Sequence, residues 1–369
     1  MTAQRSVRGW IARHRAAARL LYLLAAGLFV LGSLELLLRV VVRYEPGYYV
    51  AFADPEPGTE VHYAYGAIRF NSLGYPDDEF DTLKSKPRIG YVGDSVCYGI
   101  GAGHGYRITE VLDELAPGYE HLNFGAPGWW PSREAVREVA ERAERFALDE
   151  VVYLMNLNDI RPERASPRER ERWLRQDLRV VADRLRGKSY LYTHLRNLVK
   201  TRLFVEGYRS DGLLAFELFP LQYRGVLLES AARAEALQAA LKRIDVSLGV
   251  VLLPYEMQIS SEAEATYRRL GIRWDEERFV DRGPQRILSA RLARVRHIDA
   301  YYAFVDEGDV EGSRARNGLG EYFVYDLGDR LDWNHLNRAG HRRVAEQLDR
   351  EGFLLTRPAG GGEHAARLR

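Results

Sequence analysis

Residues 88–95 of this 369-residue chain read RIGYVGDS, and the first six of them form a short, mostly apolar run. Such a run is typical of a strand that is buried on both faces. Similar runs follow at 120–124 (EHLNF), 150–156 (EVVYLMN), 247–254 (SLGVVLLP) and 295–300 (VRHIDA). Amphipathic, helix-like stretches lie at 107–116, 133–147, 228–243, 284–294 and 338–351. Strands alternating with helices predict an α/β fold, a three-layer sandwich around a parallel sheet of about five strands.

Two segments depart from this alternation within the chain. Residues 44–87 are rich in Pro, Gly, Tyr and Asp and read as a lead-in with turns. Residues 160–227 are Arg-rich and amphipathic, which predicts a helical insertion within one large domain spanning 88–357. The charges of the insertion are typical of a solvated face, and a lid or a partner surface is the alternative. Residues 358–369 (PAGGGEHAARLR) have the composition of a disordered tail.

The beginning of the chain has the pattern of a membrane anchor. Residues 1–19 contain five arginines and no acid, and the apolar run 20–38 contains one charge, Glu35. At about 1.5 Å per residue this run approaches the thickness of the hydrocarbon layer. On a helix Glu35 and Arg39 share a face, where they can pair. We therefore expect a transmembrane signal anchor at 20–42, with the basic leader 1–19 in the cytoplasm and the domain 88–357 outside it.

A cleaved signal peptide is the alternative to a retained anchor. The apolar run is longer than the usual 7–15 residues of a signal peptide, and no small-x-small cleavage site follows it directly. Ala51-Phe52-Ala53 has the right pattern but lies far beyond the run. These features favour a single-pass protein of the cytoplasmic membrane.

The composition excludes several classes of function. The chain has 53 Lys and Arg against 52 Asp and Glu, a net charge of +1, which argues against a surface for nucleic acid. Its only cysteine, Cys97, rules out an intrachain disulfide and a multi-cysteine zinc site. The histidines show no metal-ligand spacing, and the glycines at 99, 101, 103 and 105 give no G-x-G-x-x-G register, so neither a metal nor an organic cofactor is expected.

Chemically useful residues stand where the predicted strands end. Ser95 follows the first strand, Gly125 the second and Asn158 the third, while Asp332 and His335 precede the last helix. In open α/β sheets, ligands bind beyond the carboxyl ends of the strands. We therefore expect these five residues to meet at one edge of the sheet.

Acyl transfer through a serine needs this set of groups. His335 can take the proton of the Ser95 hydroxyl, and Asp332 can orient the imidazole and stabilise its charged form. The amides of Ser95 and Gly125 and the side chain of Asn158 can donate to the oxyanion of the tetrahedral intermediate. Gly125 suits this position because a residue without a β-carbon allows close approach of the backbone.

Four sequence blocks resemble those of the SGNH (GDSL-type) hydrolases. The blocks are GDS at 93–95, NFGAPG at 123–128, NLND at 156–159 and DWNHLNRAGH at 332–341. They occur in the family's order, each after a predicted strand or before the last helix. The resemblance implies a flavodoxin-like sandwich, with Ser95 as nucleophile, Asp332 and His335 completing the triad, and Gly125 and Asn158 in the oxyanion hole.

Three further features qualify the resemblance. Asn156 stands where the family usually has the Gly of Gly-x-Asn-Asp, and Cys97 stands where it often has a small hydroxyl residue. The anchor and residues 69–79 (RFNSLGYPDDE) look like the membrane-anchored branch of this superfamily, often found beside exopolysaccharide genes. A partnership with exopolysaccharide machinery is therefore an expectation from the resemblance.

The sequence thus predicts an extracytoplasmic serine esterase acting on an O-acyl group, with acetyl on a carbohydrate as the expected substrate. Trp129 and Trp130 follow the Gly125 loop and either form a platform for a sugar or close the edge of the core. The alternatives are an O-acetyltransferase of an exported polysaccharide, a lipase or thioesterase for longer acyl chains, and a catalytically idle binding subunit.

Overall fold

The computed structural model describes residues 15–41, 57–63, 66–160, 189–192, 195, 224–265, 274, 276, 280, 282–324 and 334–354. Five of the predicted features lie partly or wholly outside these residues. They are Asp332, the tail 358–369, most of the leader 1–19, part of the lead-in 44–87 and most of the insertion 160–227.

Five of the seven strands form the parallel sheet that the sequence predicts. The seven strands are β1 Glu60–Tyr63, β2 Gly66–Arg69, β3 Arg88–Gly93, β4 Glu120–Asn123, β5 Glu150–Met155, β6 Ser247–Leu252 and β7 Arg296–Asp299. β3 to β7 pair in the order β4-β3-β5-β6-β7, and every neighbouring pair is parallel. β1 and β2 form a separate antiparallel hairpin within the segment predicted to be a lead-in with turns.

The predicted helices are also present, with ends that differ by a few residues. The helices are α1 Arg15–Val41, α2 Ser95–Tyr98, α3 Ile108–Leu115, α4 Arg133–Arg145, α5 Arg224–Lys242, α6 Glu256–Ile259, α7 Gly283–Arg291, α8 Val310–Arg316 and α9 Arg338–Arg350. Residues 224–227 belong to α5 rather than to the predicted insertion 160–227. Leu227 is fully buried, because α5 already packs on the sheet at this point.

The sheet separates two apolar layers, and β5 shows how the sequence builds both. Val151, Tyr153 and Met155 face the layer that contains buried residues of α4, α5 and α7. Val152 and Leu154 face the layer that contains those of α3 and α9. Since successive side chains of a strand point to opposite faces, a strand covered on both sides must be apolar throughout. The three-layer sandwich is confirmed.

The strand order fixes where a ligand can bind. β3 is the first strand of the sheet along the chain, and it lies between β4 and β5. This is the flavodoxin-like order, in which the connections leave β3 and β5 towards opposite edges of the sheet. The crevice of such a fold lies between the carboxyl ends of these two strands.

The N-terminal helix α1 is long and apolar. Its residues Arg19–Val41 are the one span among the described residues that is long and apolar enough to cross a membrane. The Arg39 guanidinium lies 2.9 Å from the Glu35 carboxylate, as their spacing predicts. Glu35 also accepts hydrogen bonds from Ser189 Oγ at 2.9 Å and from the Leu191 amide at 2.8 Å. α1 therefore contacts the described part of the insertion.

Candidate active site

Ser95 is the first residue of α2, immediately beyond β3. Asp94 caps this short helix, and its carboxylate accepts a hydrogen bond from the Val96 amide at 2.9 Å. An aspartate in this position satisfies an amide that the first turn of a helix cannot pair. The sharp turn from strand to helix thus leaves the Ser95 side chain at the carboxyl end of β3.

His335 is held in place by backbone pairing before α9. The Val324 amide donates to the His335 carbonyl at 2.9 Å, next to an antiparallel bridge between Phe323 and Leu336. The loop after α2 approaches this segment closely at Gly101, where a β-carbon would lie 2.4 Å from the Leu336 carbonyl oxygen. Only glycine permits this approach of the two segments that carry the nucleophile and the histidine.

The two predicted reacting groups are in direct contact. His335 Nε2 lies 2.7 Å from Ser95 Oγ, although 240 residues separate them in the chain. At this distance the imidazole can accept the hydroxyl proton. Asp332 lies outside the described residues, and its role as the third member of the triad stays a prediction.

Gly125 lies at the end of β4, against the backbone of α2. Its amide donates to Asn123 Oδ1 at 2.8 Å, so the amide has an acceptor within the protein. A β-carbon on Gly125 would lie 2.3 Å from the Tyr98 amide nitrogen and 2.6 Å from the Cys97 carbonyl carbon. The structure thus explains the glycine by close packing, and its oxyanion role stays a prediction.

Asn158 lies in a 3₁₀ turn, Leu157–Asp159, directly beyond β5. Asp159 stabilises this turn, because its carboxylate accepts from the Asn156 amide and from the Tyr153 hydroxyl, each at 3.0 Å. Since β3 and β5 are neighbours, Asn158 and Ser95 both follow strand ends at the crevice. The contribution of Asn158 to an oxyanion hole stays a prediction.

The strand order, the four sequence blocks and the contact between Ser95 and His335 agree with one family. That family is the SGNH hydrolases, whose sequence blocks those of this chain resemble. No family model matches the chain, and no curated protein matches it in sequence.

Several solved structures are similar to this chain. A member of the lipolytic protein G-D-S-L family from Veillonella parvula is 14% identical, with a TM-score of 0.36 over 73% of this chain and 99% of that chain. The aryl esterase of M. smegmatis is 15% identical, with a TM-score of 0.38 over 73% of this chain and 100% of that chain. Phospholipase A1 from Streptomyces albidoflavus is 11% identical, with a TM-score of 0.35 over 73% and 99%. At these identities and TM-scores, they carry no conclusion about substrate.

The two tryptophans that follow the Gly125 loop pack against protein. The ring of Trp129 meets Tyr153 edge-on, with centroids 5.2 Å apart. The Arg233 guanidinium covers one face of Trp130, at 4.7 Å from the ring centroid. Both rings are only partly buried, so each keeps some surface towards solvent. Their role in binding a substrate stays a prediction.

Cys97 is a packing residue in α2. Its side chain is buried, and burial raises the pKa of its thiol well above the ordinary value. A thiol in such a position stays protonated and is a poor nucleophile. Among the described residues, no group of three His, Cys, Asp or Glu side chains is placed to hold a metal ion.

Sequence reasoning missed a buried polar cluster beside the candidate site. It consists of Asp77 in the lead-in segment, Arg107 before α3 and Asn123 at the end of β4, all of them buried. The segment 69–79 was noted only for its resemblance to other proteins. A paired Asp77-Asp78 in a turn-rich segment reads as solvent-exposed, which explains why no signal pointed to Asp77.

Proposed function

We propose that this chain is a membrane-anchored serine esterase that removes an O-acyl group from its substrate. The observation that carries the proposal is the 2.7 Å contact between Ser95 Oγ and His335 Nε2 at the carboxyl end of β3. A serine paired with an imidazole at the crevice of an α/β sheet is the arrangement that acyl transfer requires.

The reaction follows from the positions of these two groups. His335 Nε2 takes the proton as Ser95 Oγ forms a bond to the ester carbonyl carbon. When the tetrahedral intermediate collapses, the bond to the alcohol oxygen breaks and His335 returns the proton to that oxygen. A water molecule then attacks the acyl carbon and gives a proton to His335. The bond from this carbon to Ser95 Oγ breaks, His335 returns the proton to Oγ, and the carboxylic acid leaves. Asp332 would hold the imidazole in the productive tautomer.

The negative charge of each tetrahedral intermediate needs hydrogen-bond donors. The Ser95 amide at the start of α2 and the side-chain amide of Asn158 are the donors that best suit this role. The Gly125 amide would have to share its proton between Asn123 Oδ1 and the oxyanion, or turn away from Asn123. Neither a metal nor a cofactor takes part in these steps.

The substrate we propose is an O-acetylated carbohydrate outside the cytoplasm. The apolar helix α1 supports a membrane location, since it is long enough to span the bilayer. Trp129 and Trp130 support a sugar, because the part of each side chain that stays accessible can give flat apolar contact at low entropic cost. A partnership with exopolysaccharide machinery is part of the same proposal.

Two other enzymatic outcomes use the same acyl-enzyme. If the insertion 160–227 excludes water as a lid, a sugar hydroxyl replaces water as acceptor and the protein acts as an O-acetyltransferase. If the acyl pocket takes longer chains, the protein is a lipase or thioesterase. A binding subunit without catalysis is the least favoured, because such a role would not need the contact between Ser95 and His335.

The first test is covalent labelling of the full-length chain with a fluorophosphonate, followed by a panel of acetyl to long-chain esters. We expect Ser95→Ala to abolish labelling and hydrolysis with little change in melting temperature, because the hydroxyl contributes to chemistry rather than packing. Ser289→Ala, in α7, is the matched control and should keep both. Full activity of Ser95→Ala would remove the nucleophile assignment.

The second test separates the proposed substrates. An activated acetyl ester is supplied with and without oligosaccharides, and acetate and acetylated sugar are measured by mass. Hydrolysis of acetyl esters supports the esterase, and acetyl on the sugar supports the transferase. Rapid cleavage of long-chain esters without cleavage of acetyl esters would contradict the carbohydrate proposal and favour the lipase.

A further inference from the structure

β4 is an edge strand of the sheet, and its outward amides need partners other than a strand. The amides of Glu120 and Phe124 donate towards β3, to the carbonyls of Pro87 and Tyr91. The Asn123 amide points the other way and donates to Asp77 Oδ2 at 2.7 Å. A carboxylate from the lead-in segment thus completes the edge of the sheet at the last residue of β4.

The loop that carries Asp77 is itself well ordered by hydrogen bonds. Asn71 Oδ1 accepts from the Leu73 and Tyr75 amides at 3.1 and 3.0 Å. The fully buried guanidinium of Arg107 donates to the Pro76 carbonyl, one residue before Asp77. The loop therefore delivers the Asp77 carboxylate to a defined place.

The side chain of Asn123 joins the Gly125 loop to α2, the helix that begins with Ser95. Its Oδ1 accepts from the Gly125 amide at 2.8 Å, beyond β4. Its Nδ2 donates to the Cys97 carbonyl at 2.8 Å, in the helix that begins with Ser95. Asn123 therefore sets the distance between the Gly125 loop and the nucleophile helix.

The carboxyl group of Asp77 is buried near the Arg107 guanidinium. Burial outweighs the opposing effects of Arg107 and of the hydrogen bond from the Asn123 backbone amide, and the pKa of Asp77 is raised to about 7. A carboxylate buried at such a cost is retained where it has a defined partner. Asp77 accepts hydrogen bonds from the backbone amides of Asn123 and of its neighbour Asp78, and only the first of these joins the lead-in segment to β4.

We propose that Asp77 is a positioning residue for the serine site. Asp77 holds the backbone amide of Asn123 at the edge of β4. It thereby fixes the position of the Asn123 side chain, which joins the Gly125 loop to α2. Asp77 touches neither Ser95 nor His335 and acts only through Asn123. The inference rests on the proposed esterase function for its effect on turnover, whereas its effect on the Gly125 loop does not depend on that function.

The test compares two substitutions of Asp77 in the full-length protein. Asp77→Ala removes the acceptor, and we expect kcat to fall about 10- to 100-fold with KM within about twofold, because a displaced site loses rate rather than affinity. Asp77→Asn keeps an acceptor oxygen for the Asn123 amide and should restore most of kcat. Asp78→Asn, at an exposed neighbour, is the matched control and should behave as the wild type. Equal losses in Asp77→Ala and Asp77→Asn would overturn the proposal.

A double substitution tests whether Asp77 acts through Asn123. In an Asn123→Ala background, Asp77→Ala should lower kcat by less than about twofold, because residues that act in one chain of contacts are not additive. Multiplicative losses would overturn the proposal. If Asp77→Ala does not fold, Asp77→Leu takes its place as a residue of similar size without an acceptor.

Hydrogen exchange of the peptide 122–128 gives a readout that needs no turnover. Exchange in this peptide should be faster in Asp77→Ala than in Asp77→Asn, with the rest of the sheet unchanged. Unchanged exchange in both variants would overturn the positioning role. If the wild type hydrolyses no ester but the peptide responds as expected, the esterase proposal fails while the positioning of the loop stands.

Discussion

Gly125 lies so close to α2 that a methyl group has no room beside it. A β-carbon would lie 2.3 Å from the Tyr98 amide nitrogen and 2.6 Å from the Cys97 carbonyl carbon. Both are backbone atoms, which cannot rotate away as a side chain can. We expect Gly125→Ala to displace the loop from α2, lowering the free energy of unfolding by about 1–3 kcal/mol. The esterase rate should fall with it, since the loop borders Ser95.

Urea unfolding and ester hydrolysis of the Gly125→Ala protein check this prediction. Gly308→Ala is the matched control, because a β-carbon on Gly308 meets nothing within 4 Å. Wild-type stability and rate in Gly125→Ala would show that the loop adapts easily, contrary to the close packing described above.

His341 is a buried residue of α9 that stays neutral in the folded protein. Burial, and to a smaller extent the charge of Arg107, lowers the pKa of His341 from 6.5 to about 3. Its Nδ1 accepts a hydrogen bond from the Ile108 amide at the start of α3, at 3.2 Å. Only the neutral imidazole can accept this bond, so protonation favours the unfolded chain.

The pKa of His341 predicts a loss of stability in acid. Between pH 6.5 and 3 the unfolded state binds one more proton at this residue, so the free energy of unfolding falls as the pH falls, by up to about 1.4 kcal/mol per pH unit. His341→Gln removes the titrating imidazole, so the free energy of unfolding of this variant should fall less steeply as the pH falls. Urea unfolding of both proteins at pH 7 and pH 4.5 measures the difference. Parallel declines would show that His341 is already charged in the folded protein.

At the scale of elements, one side chain joins α9 to the segment before it. Asn337 Oδ1 caps α9 by accepting from the Gly340 amide at 3.0 Å. Its Nδ2 donates to the carbonyls of Gly320 and Glu321, each at 3.0 Å. The side chain of Asn337 therefore holds the start of α9 against residues 320–324, the segment whose backbone pairs with His335.

We expect Asn337→Ala to lower both stability and turnover. Loss of a helix cap costs about 0.5–2 kcal/mol, and the unpaired carbonyls add to this. kcat should fall more than stability alone explains, because His335 lies two residues before the cap. Ser132→Ala, which removes the cap of α4, is the matched control and should lower the melting temperature but keep kcat. Loss of activity in both, or in neither, would contradict a specific link between the cap and His335.

The elements differ in how well the sequence predicts them. The strands of the parallel sheet are readable because burial on both faces makes each an unbroken apolar run, as in EVVYLM of β5. β1 and β2 were not predicted, since EVHY and GAIR are short, mix polar and apolar residues and lie in a turn-rich segment. α8 was also missed, because VEGSRAR buries only Ser313 and so has no apolar periodicity.

At the scale of the whole molecule, α1 predicts firm attachment to a membrane. The full-length chain should remain in the membrane fraction after washing with high salt, since an apolar helix of this length holds by burial rather than by surface charge. The catalytic domain should be protected from protease added on the cytoplasmic side. Membrane fractionation and protease protection measure both. A soluble, N-terminally trimmed protein would instead support cleavage of a signal peptide.

The sequence predicts the candidate site better than its surroundings. Ser95, Gly125 and Asn158 were identifiable because strand ends in a parallel sheet meet at one edge. The contact of Asp77 with Asn123 joins residues 46 positions apart and depends on which strand lies at the edge of the sheet. Strand order is a property of the packed molecule, so no local sequence pattern predicts that Asp77 accepts a hydrogen bond from Asn123.

The contact between Glu35 and Ser189 gives the chain the topology of a ring. These residues are 154 positions apart, and the chain between them contains β3, β4, β5 and Ser95. If α1 lies in a bilayer, the polypeptide with the nucleophile leaves the membrane helix and returns to the same side of it. The shorter of the two connections sets how far Ser95 can travel from the lipid surface. It consists of the 15 residues from 42 to 56, which connect α1 to the first described residue after it and span at most about 50 Å when fully extended. An anchored chain would therefore favour substrates that come close to the bilayer over those that stay in the bulk solution.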